Sequence, residues 1–175
     1  NRRWKKFAPR LRRPAQINYP MRKSTLKSKL PEMKLPIRIV LDTNVLVSAL
    51  LKGSSPPGQV LALILAGKVI PVLDERIFYE YATVLTRPRL KIPSQSAEKA
   101  LTFLAAVGEW VESPSDLSLA HLQDPGDLPF AQAAIIANVW ALVTGNERHF
   151  NFLAEHGVQV LTPAEFVSQI VGWGE

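Results

Sequence analysis

The strongest constraint on the fold is the alternation of short apolar strands with helices along the chain. Residues 37–41 (IRIVL) form a β-branched run that is typical of a buried strand, and a helix is predicted directly after it. The same strand-then-helix pattern returns as far as the C-terminus. Strands that alternate with helices indicate a parallel sheet covered on both faces, so we predict an α/β fold with a central sheet of about five strands.

Turn residues and helix caps divide the chain into its predicted elements. The predicted strands are short and apolar: 37–41, 69–73, 110–111, 140–143 and 158–161. The predicted helices follow capping or turn residues: 44–51, 60–66, 74–85, 97–107, 127–138 and the segment from Pro163. Ser94 is the predicted cap of the fourth helix, 54–58 is a predicted turn, and 113–126 is a predicted polar loop. Pro71 weakens the prediction of the second strand, because proline cannot donate a ladder hydrogen bond.

Composition excludes several classes of protein. The chain has no cysteine, so disulfides and thiolate metal sites are excluded, and we expect a cytoplasmic location. The longest apolar run, 60–66, is too short to cross a bilayer, so we expect no membrane partner. The chain also lacks the G-x-S-x-G motif of α/β-hydrolases and the Gly-Lys-Ser/Thr ending of a phosphate-binding loop.

Charge divides the chain into two parts near residue 32. Residues 1–32 hold eleven of the 21 Lys and Arg residues but one of the 15 acids, which leaves residues 33–175 with a net charge of −4. Prolines and a lack of apolar periodicity predict that this basic extension, residues 1–32, is disordered. Residues 33–175 are predicted to form a single domain. Three interpretations stay open: an arm that binds nucleic acid, an organellar transit peptide, or sequence upstream of a true start at Met33.

Polar residues follow two of the predicted strands. Asp42 comes directly after the first strand, and Thr144-Gly145-Asn146 comes directly after the fourth. Sites in open parallel sheets form at the carboxyl ends of strands where the strand order reverses, so these residues meet if the two strands are neighbours. Asp42 alone is ambiguous, because an Asp after a strand is often the N-cap of the next helix.

Two further acids border apolar helices. Glu80 lies at the edge of the apolar stripe of the helix 74–85, where a carboxylate needs a partner or a metal unless it reaches solvent, for example towards Arg76. Asp127 opens the apolar helix 127–138 as its N-cap, as a site residue or as both, since a carboxylate has about four acceptor sites. Asp124 is the expected acceptor of an Asx turn before Pro125.

Carboxylates without thiolates or an obvious histidine partner suit hard cations, so the sequence indicates Mg²⁺ or Mn²⁺. Such an ion bound to a phosphodiester neutralises its charge, lowers the pKa of an attacking water and stabilises the leaving oxygen. A metal would also explain how a domain of net charge −4 acts on a polyanion.

Five segments carry a resemblance to a known family. In chain order they are 39–46 (IVLDTNVL), 77–81 (IFYEY), 124–130 (DPGDLPF), 142–146 (LVTGN) and 160–166 (VLTPAEF). They resemble PIN domains, and their order and spacing resemble the toxin components of prokaryotic toxin–antitoxin modules. The resemblance covers about residues 37–170, and it does not include the basic extension.

The resemblance implies a three-layer α/β/α sandwich and a Mg²⁺- or Mn²⁺-dependent endoribonuclease that cleaves single-stranded RNA. It implies an antitoxin protein as partner, and we also expect a homodimer. By matching position, it implies that the metal-binding catalytic acids are Asp42, Glu80 and Asp127. Asn44 and Thr144 would orient groups around these acids.

The sequence departs from the family pattern at Asn146, where many PIN domains have a fourth acid. An amide ligates weakly and adds no charge, so the number of metal ions, one or two, stays open. A PIN fold that has lost activity and binds RNA or protein is therefore the alternative function. A phosphohydrolase that forms an aspartyl phosphate on Asp42 is a further class, although it usually needs an acid at the position of Asn44. His149 follows a site strand and either contacts substrate or is solvated.

Overall fold

The computed structural model describes residues 36–112 and 124–171. Its strands are β1 (Ile37–Leu41), β2 (Val69–Leu73), β3 (Glu109–Trp110), β4 (Ala141–Val143) and β5 (Gln159–Leu161). Its α-helices are α1 (Thr43–Leu51), α2 (Pro56–Leu65), α3 (Glu75–Leu85), α4 (Ser94–Val107), α5 (Leu128–Ile136) and α6 (Pro163–Val171). Short 3-10 helices occupy Pro88–Leu90, Pro125–Asp127, Glu147–His149 and Asn151–His156.

The five strands form one parallel sheet in the order β3-β2-β1-β4-β5. The strand order reverses between β1 and β4, which is the position where open α/β sheets bind their ligands. The register pairs Leu41 with Val143, so the last residues of these two strands stand side by side. The predicted neighbourhood of Asp42 and Thr144 is therefore confirmed.

Helices cover the sheet in a three-layer α/β/α arrangement, as predicted. Helices α1, α2 and α6 contact one another in series, and α3 contacts α4 and α5, with α5 lying against β1, β2 and β4. The central strands are apolar because both of their faces are covered. Ile39, Val40 and Leu41 of β1 are at most 1% exposed, and the three residues of β4 are fully buried.

The structure corrects three details of the predicted elements. Residues 56–58 of the predicted turn are helical, because Pro56 and Pro57 take the first helical positions, where a missing N–H removes no hydrogen bond. Ser94 lies inside α4 instead of capping it, and the N-cap is Pro93, with no side-chain hydrogen bond. The predicted helix 127–138 runs from Leu128 to Ile136, after a 3-10 turn. Residues 113–123 of the predicted loop lie outside the described residues.

Side-chain caps fix several helix starts at the carboxyl ends of the strands. Asp74 is buried and accepts hydrogen bonds from the backbone N–H groups of Arg76 and Ile77, as its predicted capping role requires. Thr162 and Glu165 form a capping box at the start of α6, with bonds of 3.2 and 2.8 Å to each other's backbone N–H groups.

No helix in the described part of the chain is long and apolar enough to span a membrane. The predicted extension 1–32 lies outside the described residues.

Candidate active site

Asp42 follows β1 at the position where the strand order reverses. One carboxylate oxygen, Oδ1, accepts a hydrogen bond from the backbone N–H of Asn44 at 3.1 Å, and the other, Oδ2, accepts one from Oγ1 of Thr144 at 2.6 Å. The backbone N–H of Asp42 donates to the carbonyl of Val143 at 2.9 Å. Asp42 is thus the N-cap of α1 and also part of a polar cluster, so the two interpretations of this residue are compatible.

Glu80 reaches the first residue of α1 from the middle of α3. Its Oε1 accepts a 2.6 Å hydrogen bond from Oγ1 of Thr43, the residue after Asp42. The suggested alternative, in which Glu80 extends towards Arg76, is wrong, because Arg76 pairs with Asp74 through a 2.6 Å contact. Glu80 therefore lies at the same edge of the sheet as Asp42.

Asp127 ends the 3-10 turn before α5. Its side chain makes no capping hydrogen bond, and Oδ2 instead lies 2.8 Å from Nδ1 of His149. Asp127 therefore occupies the N-cap position of α5, as predicted, but its side chain does not cap the helix. Asp124 is exposed and accepts a 2.8 Å hydrogen bond from the backbone N–H of Gly126, which is the predicted Asx turn.

The charges of the three acids influence one another, as the raised pKa values of Glu80 and Asp127 indicate. Burial raises the pKa of Glu80, and the charges of Asp42 and Asp127 raise it further against the opposing hydrogen bond from Thr43. Burial also raises the pKa of Asp127, opposed by His149 and reinforced by Asp124 and Asp42. Burial is thus the main cause of both raised pKa values, and repulsion among the acids adds to it.

The polar residues after β4 lie at the same edge of the sheet as Asp42. Thr144 is fully buried, and besides its bond to Asp42 its Oγ1 accepts a 2.9 Å hydrogen bond from the backbone N–H of Asn146. Asn146 and Asn44 are both exposed at the surface beside the cluster. The structure thus brings the predicted supporting residues to the same edge as the acids.

The comparison with known families agrees with this topology and these positions. A family model described as PIN domain matches residues 38–148, which is more than half of the chain and includes all three acids. The chain belongs to the PIN-domain family. PIN domains are generally nucleases, and PIN nucleases generally use divalent metal ions.

Two similar proteins extend the comparison of this PIN domain. The uncharacterized protein MJ1680 of Methanocaldococcus jannaschii is 24% identical over 147 residues, covering 78% of this chain and 93% of the relative. The crystal structure of VapBC2 from Rickettsia felis bound to a DNA fragment from their promoter matches with a TM-score of 0.51. It is 18% identical and covers 72% of this chain and 98% of that chain, so this likeness shows the fold alone.

The donor chemistry of this PIN domain fits a hard divalent cation. Carboxylate oxygens are the ligands that Mg²⁺ and Mn²⁺ prefer, and a cation would offset the repulsion among the acids, which adds to burial in raising the pKa of Glu80 and of Asp127. Within residues 36–112 and 124–171, no group of three or more acidic or histidine side chains is arranged to hold a metal ion. The acids therefore share an electrostatic environment without forming a complete coordination sphere.

The hydrogen bonds made by three residues of the PIN-domain site were not predicted from the sequence. Thr43 binds Glu80, and His149 binds Asp127, although His149 was considered as a residue that contacts substrate. Tyr81 is buried beside Glu80 and donates a short hydrogen bond to the backbone carbonyl of Leu41. Burial and the charges of Asp42 and Glu80 raise its pKa well above the ordinary value. A buried tyrosine needs a hydrogen-bond partner, and this was the available signal.

Proposed function

We propose that this PIN domain is a Mg²⁺- or Mn²⁺-dependent endoribonuclease that hydrolyses phosphodiester bonds of single-stranded RNA. The observation that carries the proposal is the position of Asp42 at the reversal of strand order, where Thr144 binds it and the next residue, Thr43, binds Glu80. The raised pKa values of Glu80 and Asp127 agree with it. Perturbed carboxylates at such a position are typical of functional sites. Membership of a family of nucleases supplies the reaction class.

In this proposal Asp42, Glu80 and Asp127 hold the cation. The cation would supply charge neutralisation of the phosphodiester and activation of the attacking water. The chain's own residues orient the carboxylates: the hydroxyl of Thr144 fixes Asp42, and the hydroxyl of Thr43 fixes Glu80. Each of these carboxylates keeps acceptor capacity beyond the hydrogen bonds described, because a carboxylate has about four acceptor sites.

The second part of the proposal concerns partners. The similar structure from Rickettsia felis is that of VapBC2 bound to promoter DNA, and its toxin–antitoxin character supports an antitoxin partner for this chain. We therefore propose the toxin of a toxin–antitoxin pair, acting as a homodimer in the cytoplasm. Co-purification with the product of a small adjacent gene, followed by loss of RNA cleavage in the complex, tests this assignment.

A cleavage assay tests the enzymatic proposal. Purified protein with Mn²⁺ is expected to cut labelled single-stranded RNA internally, and EDTA is expected to stop the reaction. Asp42→Asn and Glu80→Gln should each abolish cleavage, whereas Glu75→Gln should not, because Glu75 is an exposed acid at the start of the same helix as Glu80. Equal loss in all three variants would contradict the assigned roles, and a trapped phosphoenzyme on Asp42 would indicate a phosphohydrolase instead.

A second candidate function is an RNA- or protein-binding module with a weakened site. Two observations favour it: Asn146 replaces an expected acid, and no three acidic or histidine side chains of the described segments are arranged to hold a metal. RNA binding that persists without cleavage under any tested divalent metal would support the module. Metal-dependent cleavage that requires Asp42 would exclude it.

A further inference from the structure

A cavity of about 290 Å³ is lined by Asn44, whose backbone N–H bonds Asp42, at the same edge of the sheet. Its walls come from α1, the first turn of α2, the segment after β4 and the first turn of α6. Asn44 and Gly145 line it, and they stand next to the hydrogen-bonded pair Asp42 and Thr144 in both space and sequence. The cavity is therefore continuous with the proposed catalytic edge.

We propose that this cavity binds one unstacked base of the RNA strand, in the nucleotide adjoining the phosphate held at the carboxylates. This inference rests on the proposed ribonuclease function and deepens it, because it assigns a base-binding subsite and the residues that read the base. Sequence-specific recognition of RNA generally targets single-stranded bases that are splayed out and bound individually.

The charge of the cavity favours a base over a phosphate. Among the residues that the structure describes, none that lines it is charged. Helix N-termini usually attract phosphate through their free N–H groups, but here the first turns of α2 and α6 begin with Pro56, Pro57 and Pro163. Proline has no N–H, so these helix ends offer fewer donors to an anion. The walls thus suit a neutral group with apolar faces.

The size and shape of the cavity point in the same direction. Its volume lies at the low end of the roughly 300–1,000 Å³ that is usual for small-ligand pockets, which suits one nucleoside and not a longer segment. The exposed ring of Pro56 and the half-buried ring of Pro57 offer apolar surfaces. Every base has a π-face that packs on such surfaces, so stacking alone would not discriminate among bases.

Two polar side chains on α1 supply the means of discrimination. Asn44 and Ser48 both line the cavity, and because they are four residues apart they lie on the same face of the helix. An amide offers both a donor and an acceptor, and a hydroxyl offers the same, so the pair complements the edge of a base. The backbone of Asn44 is fixed by its hydrogen bond to Asp42, which sets the base-reading residue relative to the catalytic acid.

Cleavage of RNA oligonucleotides with one abasic position tests the subsite. Each position around the cut is replaced in turn, and the expected result is a rise in KM of about tenfold at one adjoining position, with kcat little changed. Ala164→Phe, at the cavity wall, should give a similar KM rise on intact RNA and no further loss on the abasic RNA. Ala106→Phe, at an exposed alanine of α4, is the matched control and should behave as wild type. Ser48→Ala should change the preference among the four bases at that position.

A binding measurement separates this inference from the proposed function. Nucleoside 5′-monophosphates added to metal-free protein should shift the NMR methyl signals of Val45 and Ala164 but not that of Ala106. Such shifts without RNA cleavage under any metal would support the base site and overturn the nuclease. RNA cleavage with no abasic effect and no shifts would overturn the base site while the nuclease stands. Loss of self-association in Ala164→Phe, seen by sedimentation with an unchanged abasic profile, would show that a second copy covers the cavity and would also overturn the base site.

Discussion

The hydroxyl of Thr144 donates a 2.6 Å hydrogen bond to Oδ2 of Asp42, joining residues 102 positions apart in the sequence. The same hydroxyl accepts from the backbone N–H of Asn146 at 2.9 Å. One buried oxygen thus fixes both the catalytic candidate Asp42 and the start of the segment after β4. This arrangement is possible because β1 and β4 are neighbours in the sheet although they are distant in the chain.

Replacement of Thr144 by valine is expected to lower kcat/KM for RNA cleavage by about 10–100-fold, the usual effect of removing a residue that orients a metal ligand. Valine has nearly the same shape as threonine but cannot donate the hydrogen bond to Asp42. Single-turnover cleavage of RNA with Mn²⁺ measures the effect. Thr144→Ser keeps the hydroxyl and should retain most of the activity. A valine variant as active as wild type would show that the hydrogen bond does not position Asp42 for catalysis.

The raised pKa of Glu80 predicts a pH dependence of stability in the metal-free protein. The folded state binds the Glu80 proton more tightly than the unfolded chain, so this contribution to the free energy of unfolding declines as pH rises from the ordinary value of 4.5 through the raised pKa. Urea unfolding in EDTA should therefore show wild type losing stability relative to Glu80→Gln as pH rises through that window. Glu75→Gln should show no such divergence, and saturating Mn²⁺ should reduce the difference if Glu80 binds the ion.

Replacement of Asn146 by aspartate is expected to tighten Mn²⁺ binding by about tenfold, because affinity for hard cations increases with the number of charged ligands. Asn146 is exposed beside the cluster, and its backbone already bonds Thr144, so the added charge requires no change of fold. Isothermal titration with Mn²⁺ measures the effect. Unchanged affinity in this variant would place residue 146 outside the metal site.

Tyr81→Phe is expected to lower the free energy of unfolding by about 1–3 kcal/mol, because it removes the donor to a buried backbone carbonyl. The hydroxyl of Tyr81 bonds the carbonyl of Leu41, the residue before Asp42, and the side chain is 1% exposed. Urea denaturation measures the loss of stability. A stability equal to that of wild type would mean that the carbonyl is satisfied in another way.

Gly58 should not tolerate a side chain, although it lies within a helix. A Cβ at this position would lie 2.0 Å from the backbone oxygen of Gly53, so Gly58→Ala is expected to destabilise the protein by about 1–3 kcal/mol. Helix propensity alone predicts the opposite sign, since alanine favours a helix over glycine by about 1 kcal/mol. Thermal unfolding of Gly53→Ala is the control, because a Cβ there meets no atom of the described residues within 4 Å. A stabilised Gly58→Ala variant would contradict the close approach of α2 to the turn that follows α1.

The sequence was most informative where local pattern and burial agree. All five strands were predicted near their observed positions, because short apolar runs bounded by turn residues have few other uses in an α/β chain. Even β2 was predicted despite Pro71; in the structure its edge partner β3 pairs with Val72 and Leu73 and not with the proline. The turn at 54–58 was mispredicted because Ser-Ser-Pro-Pro-Gly is typical both of a loop and of a helix start.

The candidate site was predictable only in part, and for a physical reason. Strand ends give a local signal, so Asp42 and Thr144 could be paired once the sheet was assumed. The bonds from Thr43 to Glu80 and from His149 to Asp127 join side chains that are 37 and 22 residues apart, and no periodicity marks them. The sequence could identify the acids as candidates, but which neutral group orients each acid depends on packing.

The hydrogen bond from Tyr81 to β1 has a consequence for how the protein unfolds on heating. Glu80 and Tyr81 are adjacent on α3, so the helix that supplies one acid is fastened to the innermost strand by the next residue. Glu80 cannot leave the site by a local hinge of α3 without breaking a buried contact of the core. Partial opening of this segment should therefore be rare in hydrogen exchange, and nuclease activity should disappear in the same cooperative transition as the native fold.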